Sequence, residues 1–434
     1  MNPMNKFYAA TGSAMALALM PAAVFAAAEL DVTVGAGAEY HDNALQTKTD
    51  KRSDYARVAK AGVAYHNPQT TLPINVDYRV ERRDFERDLQ EDETSLTGDS
   101  SLVWAALPRT LDFRLGHQAS SQVVDRRGPN ITNNREQRSI TSAGANLYGH
   151  LGAVDTLMLS PSFTDVQITG DVADDSERTS LGAGWEHRLS EVSALTFNVS
   201  RSKIDSENNV NDYDLDVATL GLKTRLSRLS YSLEAGGNRI ERDGVDDVSG
   251  AMVQLGTDYN GGDISWGVSY VNRLTDSSVG LEGFAAGGDA SNSSPGGDGN
   301  VGEFDIVHSN EADIHATYRF NAASSLTGRI GYLDYDYEDT PRDERDYTAE
   351  LRYNYIVNTH CQLDFGVTHT DADFTDDPND LKQKETVVDV SATYHFTRQL
   401  DLRATLGREE RSSNSGNGDY ADDYLLLFFG YKIL

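Results

Sequence analysis

The chain has 434 residues, with 38 Lys and Arg against 68 Asp and Glu and a formal net charge of −30. That sign excludes nucleic acid as a partner, because phosphate binding needs a basic surface, and the single cysteine, Cys361, excludes an internal disulfide. No apolar run of about 18 residues follows residue 26, which excludes a membrane-spanning helix; β-barrels escape that test because their two faces alternate and average out.

Residues 1–26 read as a secretory signal: Lys6, an apolar run from Ala14 to Ala26, and small residues before the break, with Val24-Phe25-Ala26 suited to cleavage before Ala27. Residues 27–434 are expected to form one domain. From Leu30 to Tyr40 the apolar residues fall two apart on one face, and after a polar loop the stretch from Tyr55 to Tyr65 leads into a tight turn at His66 to Thr70. The form then repeats. Ile74, Val76, Tyr78 and Val80 alternate with Asn75, Asp77, Arg79 and Glu81; Leu111, Phe113 and Leu115 alternate with Asp112, Arg114 and Gly116. Leu181, Ala183 and Trp185, then Leu195, Phe197 and Val199, then Ile314, Ala316, Tyr318 and Phe320 continue the pattern, and so do Leu351, Val388, Val390 and Leu400 further on. The segments near 137–149 and 213–226 carry no clean phase.

Polar breaks alternate between long and short along the whole chain, and twenty strands connect them, with 18–22 allowed. The fold class is therefore all-β: a single closed antiparallel transmembrane barrel, with short periplasmic turns and long extracellular loops. The longest loop, Ser277 to Ser309, is rich in Gly, Ser and Asp; it is expected to be mobile, or to fold inward if the wall pins it. Tyr40, Tyr55, Tyr213 and Tyr347 are expected at the outer membrane interface. Tyr65, Trp104, Tyr259, Trp266, Phe320, Tyr355, Tyr394 and Phe396 are expected at the inner one.

The last strand fixes the solvent. Leu425, Leu427, Phe429, Tyr431 and Ile433 form an unbroken apolar row of the length that crosses a bilayer. A strand is tolerated in hydrocarbon only when every backbone group is paired, which demands closure. The row resembles the terminal insertion signal of bacterial outer-membrane barrels, so outer-membrane lipid and the barrel-assembly machinery are the expected partners.

On the opposite face, carboxylates and guanidinium groups recur. Asp77 and Arg79, Asp112 and Arg114, Glu186 and Arg188, Glu350 and Arg352, and Asp401 and Arg403 each stand two apart, hence on one side of a strand. With Asp313, Arg319, Arg329 and Asp389 they are the candidate pore-lining residues. They read either as ion pairs filling a wet interior or as a two-signed pore wall for polar solutes. The acidic loop runs are read as solvated charge, since none has the spacing of a calcium loop. No nucleotide-binding glycine motif, zinc spacing or nucleophile elbow is evident, so no catalytic residue, cofactor or metal site is assigned.

At Gly35 to Asn43 (GAGAEYHDN) and Arg52 to Tyr55 (RSDY), with Asn134-Arg135, Arg273 to Ser277 and Gly430-Tyr431, the chain resembles the putative β-barrel porin 2 group. His41 stands where that family more commonly has Asp. The resemblance implies an outer-membrane barrel linked to exopolysaccharide export and transfers no functional residue. A non-enzymatic, porin-like channel for polar solutes is thus the expected function. The alternatives are a passive structural or adhesive barrel closed by its own loops, a nutrient porin, or an outer-membrane enzyme.

Overall fold

A computed structural model describes residues 28–169, 175–207, 212–242, 244–276, 305–340, 343–375, 380–415 and 418–434. The export signal expected over 1–26 and most of the 277–309 loop lie outside the described residues, as do parts of the acidic runs near 171 and 376. Twenty strands follow one another. They are β1 (Glu29–His41), β2 (Asp54–Asn67), β3 (Ile74–Phe85), β4 (Glu93–Leu107), β5 (Leu111–Val123), β6 (Arg135–Leu151) and β7 (Asp155–Thr169). Next come β8 (Ser176–Arg188), β9 (Ser193–Ser206), β10 (Tyr213–Arg225), β11 (Leu229–Arg242), β12 (Val248–Asn260), β13 (Ile264–Asp276) and β14 (Ile306–Asn321). The chain ends with β15 (Ser324–Tyr337), β16 (Asp343–Asn358), β17 (Cys361–Thr375), β18 (Leu381–His395), β19 (Leu400–Ser413) and β20 (Tyr420–Lys432).

Each strand pairs antiparallel with the next, and β20 returns to β1 with Val34 opposite Tyr431 and Ala38 opposite Leu427. The result is a closed barrel of 20 strands. At a strand spacing of about 4.8 Å and a tilt near 40°, its perimeter is roughly 120 Å, wider than side chains alone can fill. Two of the tight turns place glycine in the left-handed region, Gly152 (φ 79°) and Gly262 (φ 95°), while Arg109 (φ 65°) takes it in the β4–β5 turn.

The outer surface is apolar in a band. Leu181, Ile330 and Leu406 are more than half exposed there, and Leu427, Phe429, Tyr431 and Ile433 continue it to the closing strand. Toward the short turns the band ends in paired rings: Trp104 with Phe113, Tyr259 with Trp266, Tyr318 with Phe320, and Tyr394 with Phe396, at centroid separations of 4.9–5.7 Å. Toward the long loops it ends in charge. Outward-facing Arg201 bonds Asp214 (2.6 Å) and Asp216 (3.2 Å), Arg82 bonds Asp84 (2.6 Å), and Arg408 bonds Asp423 (3.1 Å). Apolar residues cede to ion pairs between Val199 and Arg201 on β9 and between Val80 and Arg82 on β3.

Two aromatic expectations are corrected. Tyr65, opposite Leu30 and Val76, is 3% exposed and so presents no open ring at the headgroup level. Tyr213 faces inward and is 4% exposed, in a buried cluster with Ile204, Ile240, Leu274 and Ile306. The cause is β13, whose pairing with β12 stops at Asn272 opposite Val253. Beyond that point the end of β13 bends into the interior: Asn238 of β11 donates to the Leu274 carbonyl (2.5 Å), while Tyr213 of β10 and Arg178 of β8 bond Asp276. The covered inner walls are apolar, which is why β10 shows no clean alternation. Ile140 on the inner wall of β6, buried with Val166 and Ile168, blurs that strand in the same way.

The β4–β5 ladder also stops short, at Gly98 opposite Ala119. There the Gln137 amide takes over, accepting from Leu96 N–H (3.0 Å) and donating to the Leu96 and Ser120 carbonyls (both 2.8 Å). One side chain thereby satisfies backbone groups that a ladder would otherwise pair.

Candidate functional site

The register places all fourteen candidate pore-lining residues on the inner face: Asp77, Arg79, Asp112, Arg114, Glu186, Arg188, Asp313, Arg319, Arg329, Glu350, Arg352, Asp389, Asp401 and Arg403 alternate with outward apolar neighbours along their strands. Two of the five pairs spaced two apart close as ion pairs, Asp112 with Arg114 (3.4 Å) and Glu350 with Arg352. Arg329 instead reaches across to Asp313 (2.5 Å), and Arg403 donates to Ser391 (3.3 Å). The inner wall therefore carries both signs of charge around much of its circumference.

Among the described residues, the loop between β5 and β6 narrows the interior at the long-loop end. Residues 124–134 form a stiff unit. Asn134 accepts from Asp125 N–H (2.9 Å) and donates to the carbonyls of Asp125 (2.7 Å) and Pro129 (2.9 Å), and the Asp125 carboxylate accepts from Arg127 N–H (3.0 Å). A short 3-10 turn, Thr132–Asn134, closes it. Aspartate and asparagine suit these positions because their short side chains bond the backbone locally.

This unit reaches strands six to nine places around the barrel from β5, the farthest close to the opposite wall. Arg126 bonds Glu344 (3.3 Å) and Asp346 of β16; Arg127 lies over the Phe374 ring of β17 (5.4 Å) and its carbonyl accepts from Gln383 of β18 (2.9 Å). Arg411 of β19 donates to the Gly128 carbonyl (2.5 Å) and is held by Glu385 (3.1 Å). On the near side, Gln46 accepts from Asn130 N–H (2.7 Å), and Gln90 joins Ala44 (2.6 Å) to Thr132 (3.0 Å). The loop is thus a bar across the mouth at the long-loop end.

Burial works against the Arg126 charge, but Asp346 and Glu344 outweigh it and hold the guanidinium pKa above its ordinary value. The pairing is costly to break from one side. Glu344 is 0% and Asp346 5% exposed, so removing Arg126 leaves two carboxylates together out of water. The bar residues were not singled out from sequence, where this stretch reads only as one long loop. The available signal was the consecutive Arg126-Arg127 in a chain with an excess of acid, beside Asn and Pro residues that stiffen a loop.

Among solved structures, the chain is similar to OccK3 (OpdO) of Pseudomonas aeruginosa, at 15% identity over 94% of this chain and 96% of that one, with a TM-score of 0.40. It is also similar to the FrpB iron transporter of Neisseria meningitidis, at 10% identity over 93% and 82% with a TM-score of 0.43. A third is an anion-selective porin of Comamonas acidovorans, at 9% identity over 94% and 99% with a TM-score of 0.37. No curated protein matches the chain. The stretch that includes β14 to β17 and most of β18, residues 301–391, matches the family described as putative beta-barrel porin 2.

Proposed function

We propose that the chain is a non-enzymatic outer-membrane channel for polar solutes, delivered through a cleaved export signal and inserted by the barrel-assembly machinery, and that its solute is an exported polysaccharide. The observation that carries this reading is the inner wall. Charges of both signs line it, and a bar anchored on opposite sides narrows it, an arrangement that hydrogen-bonds and sizes a hydrated solute. The apolar band between paired rings and outward ion pairs supports placement in a bilayer.

A second reading, a passive barrel closed by its own elements, is favoured by one observation: the buried apolar cluster around Tyr213 and Leu274 occupies part of the interior. Two measurements separate the readings. Fractionated cells should hold the protein in the outer membrane, with heat-modifiable migration on gels; a soluble periplasmic product would refute the placement. Purified protein in planar bilayers should give discrete conductance steps, and a stable insertion without conductance would favour the passive barrel. Exopolysaccharide synthases encoded beside the gene would support the polysaccharide as solute, and a catabolic operon would point to a nutrient instead.

A further inference from the structure

The closing strand is apolar on both faces. Its odd residues form the outward row, yet Tyr424, Leu426 and Phe428 lie on the inner face, where a water-filled interior gives an apolar row no solvent reason to exist. All three are only partly buried. The neighbouring strands are cut back to make room. Gly37 is opposite Phe428 and Gly407 opposite Tyr424, and a β-carbon at Gly35, Gly37 or Gly407 would collide with one of the two rings. The rings therefore lie down on a glycine floor, an arrangement that stabilises a sheet and turns the other ring face toward the interior.

Both edges of this row are polar. On the β19 side stand Asp401, Arg403 and Thr405; on the β1 side stand Glu39 and His41, with His41 stacked beside Tyr424 (5.7 Å). Lys60, tethered to Glu81 (2.7 Å), sits 5.3 Å from the Phe428 centroid. From Tyr424 to Phe428 the row runs about 13 Å along the strand. At its upper end is Tyr420, whose ring packs on Arg411 (5.6 Å), the residue that holds the bar.

We propose that Tyr424, Leu426 and Phe428 form a binding track for a saccharide chain passing the bar. A ligand that fits must offer apolar ring faces to the aromatic floor and hydroxyl groups to the polar edges, and a pyranose chain does both. Nucleic acid bases also stack, but the carboxylates of Glu39 and Asp401 and the net charge of −30 repel a polyphosphate. The proposal rests on the channel reading above and names its ligand class and site.

The test uses the full-length barrel in planar bilayers, with maltoheptaose and an oligogalacturonate as saccharide probes and polyethylene glycol of matched size as the control. A saccharide should produce resolved current blockades that polyethylene glycol does not. Tyr424→Leu and Phe428→Leu, which keep apolar bulk but remove the flat ring, should each shorten blockade residence about tenfold, with heat-modifiable migration retained. Gly407→Leu, which displaces the Tyr424 ring while leaving the residue in place, should act in the same direction. Conductance with unchanged residence times in all three variants, or equal blockade by polyethylene glycol, overturns the track and leaves the channel standing. Absence of conductance overturns the channel. Calorimetric titration of the same saccharides into detergent-solubilised wild type and variants then decides the track, with no binding, or binding unchanged by the substitutions, refuting it.

Discussion

Phe429→Asp should leave almost no barrel in the outer membrane, whereas Phe428→Asp, one residue away, should assemble at near-normal levels. Phe429 is about half exposed on the outer surface, opposite Ala36 of β1 and Leu402 of β19. A charge on the lipid face costs on the order of 2–4 kcal/mol at mid-bilayer for a basic residue and less for an acid. The loss of the ring from the apolar band adds to that, and the residue sits on the strand that must close against β1 before the barrel exists. At position 428 the carboxylate would meet the watery interior near Lys60 and Arg403. Surface levels of the two variants, read by immunoblot of outer-membrane fractions, check the phase of β20 directly. Equal levels would refute the assignment of faces.

Removing both arginines that hold the bar, Arg126→Ala with Arg411→Ala, should raise single-channel conductance at least about twofold. Arg126 bonds both Glu344 and Asp346, and without its shared charge those two buried carboxylates repel each other more strongly beneath the loop. Loss of Arg411 frees the Gly128 carbonyl, so that on the far side the unit keeps Gln383 and the Arg127 contact with Phe374, and on the near side the glutamines. The wall itself should survive, because its ladder is distributed over all twenty strands; unchanged heat-modifiable migration would verify that. Unaltered conductance would mean that the bar does not set the narrowest section.

Strand periodicity makes the barrel itself legible in the sequence. Along most of the wall no apolar face is buried against a soluble core, so outward residues answer to lipid and inward ones to water, and the two-residue rhythm survives along most of the chain. It fails where the interior is not watery. Leu215 and Tyr213 on β10 are inward and apolar because the bent end of β13 covers them, a contact between elements some sixty residues apart in the chain that no local pattern encodes. The same limit hid the bar. Asp125 and Asn134 announce a turn, but that the turn spans the mouth depends on Glu344, Gln383 and Arg411, which are more than two hundred residues away. The inner row of β20 is written in the run from Tyr424 to Phe429, but an apolar residue at every position there conceals which ones face the interior.

The height of the bar on the wall has a consequence for traffic. Its anchors, Glu344, Asp346, Gln383 and Arg411, alternate with outward-facing Arg345, Lys382, Lys384 and Glu410, which carry exposed charge on the outside of the same strands. Charged side chains at that level belong in headgroups or water rather than hydrocarbon. The bar therefore stands above the lipid plane, like a collar on the long-loop rim. A molecule entering from the short-turn side would meet it only after crossing the full thickness of the bilayer, and a reagent too large to enter the barrel should reach it from the long-loop side.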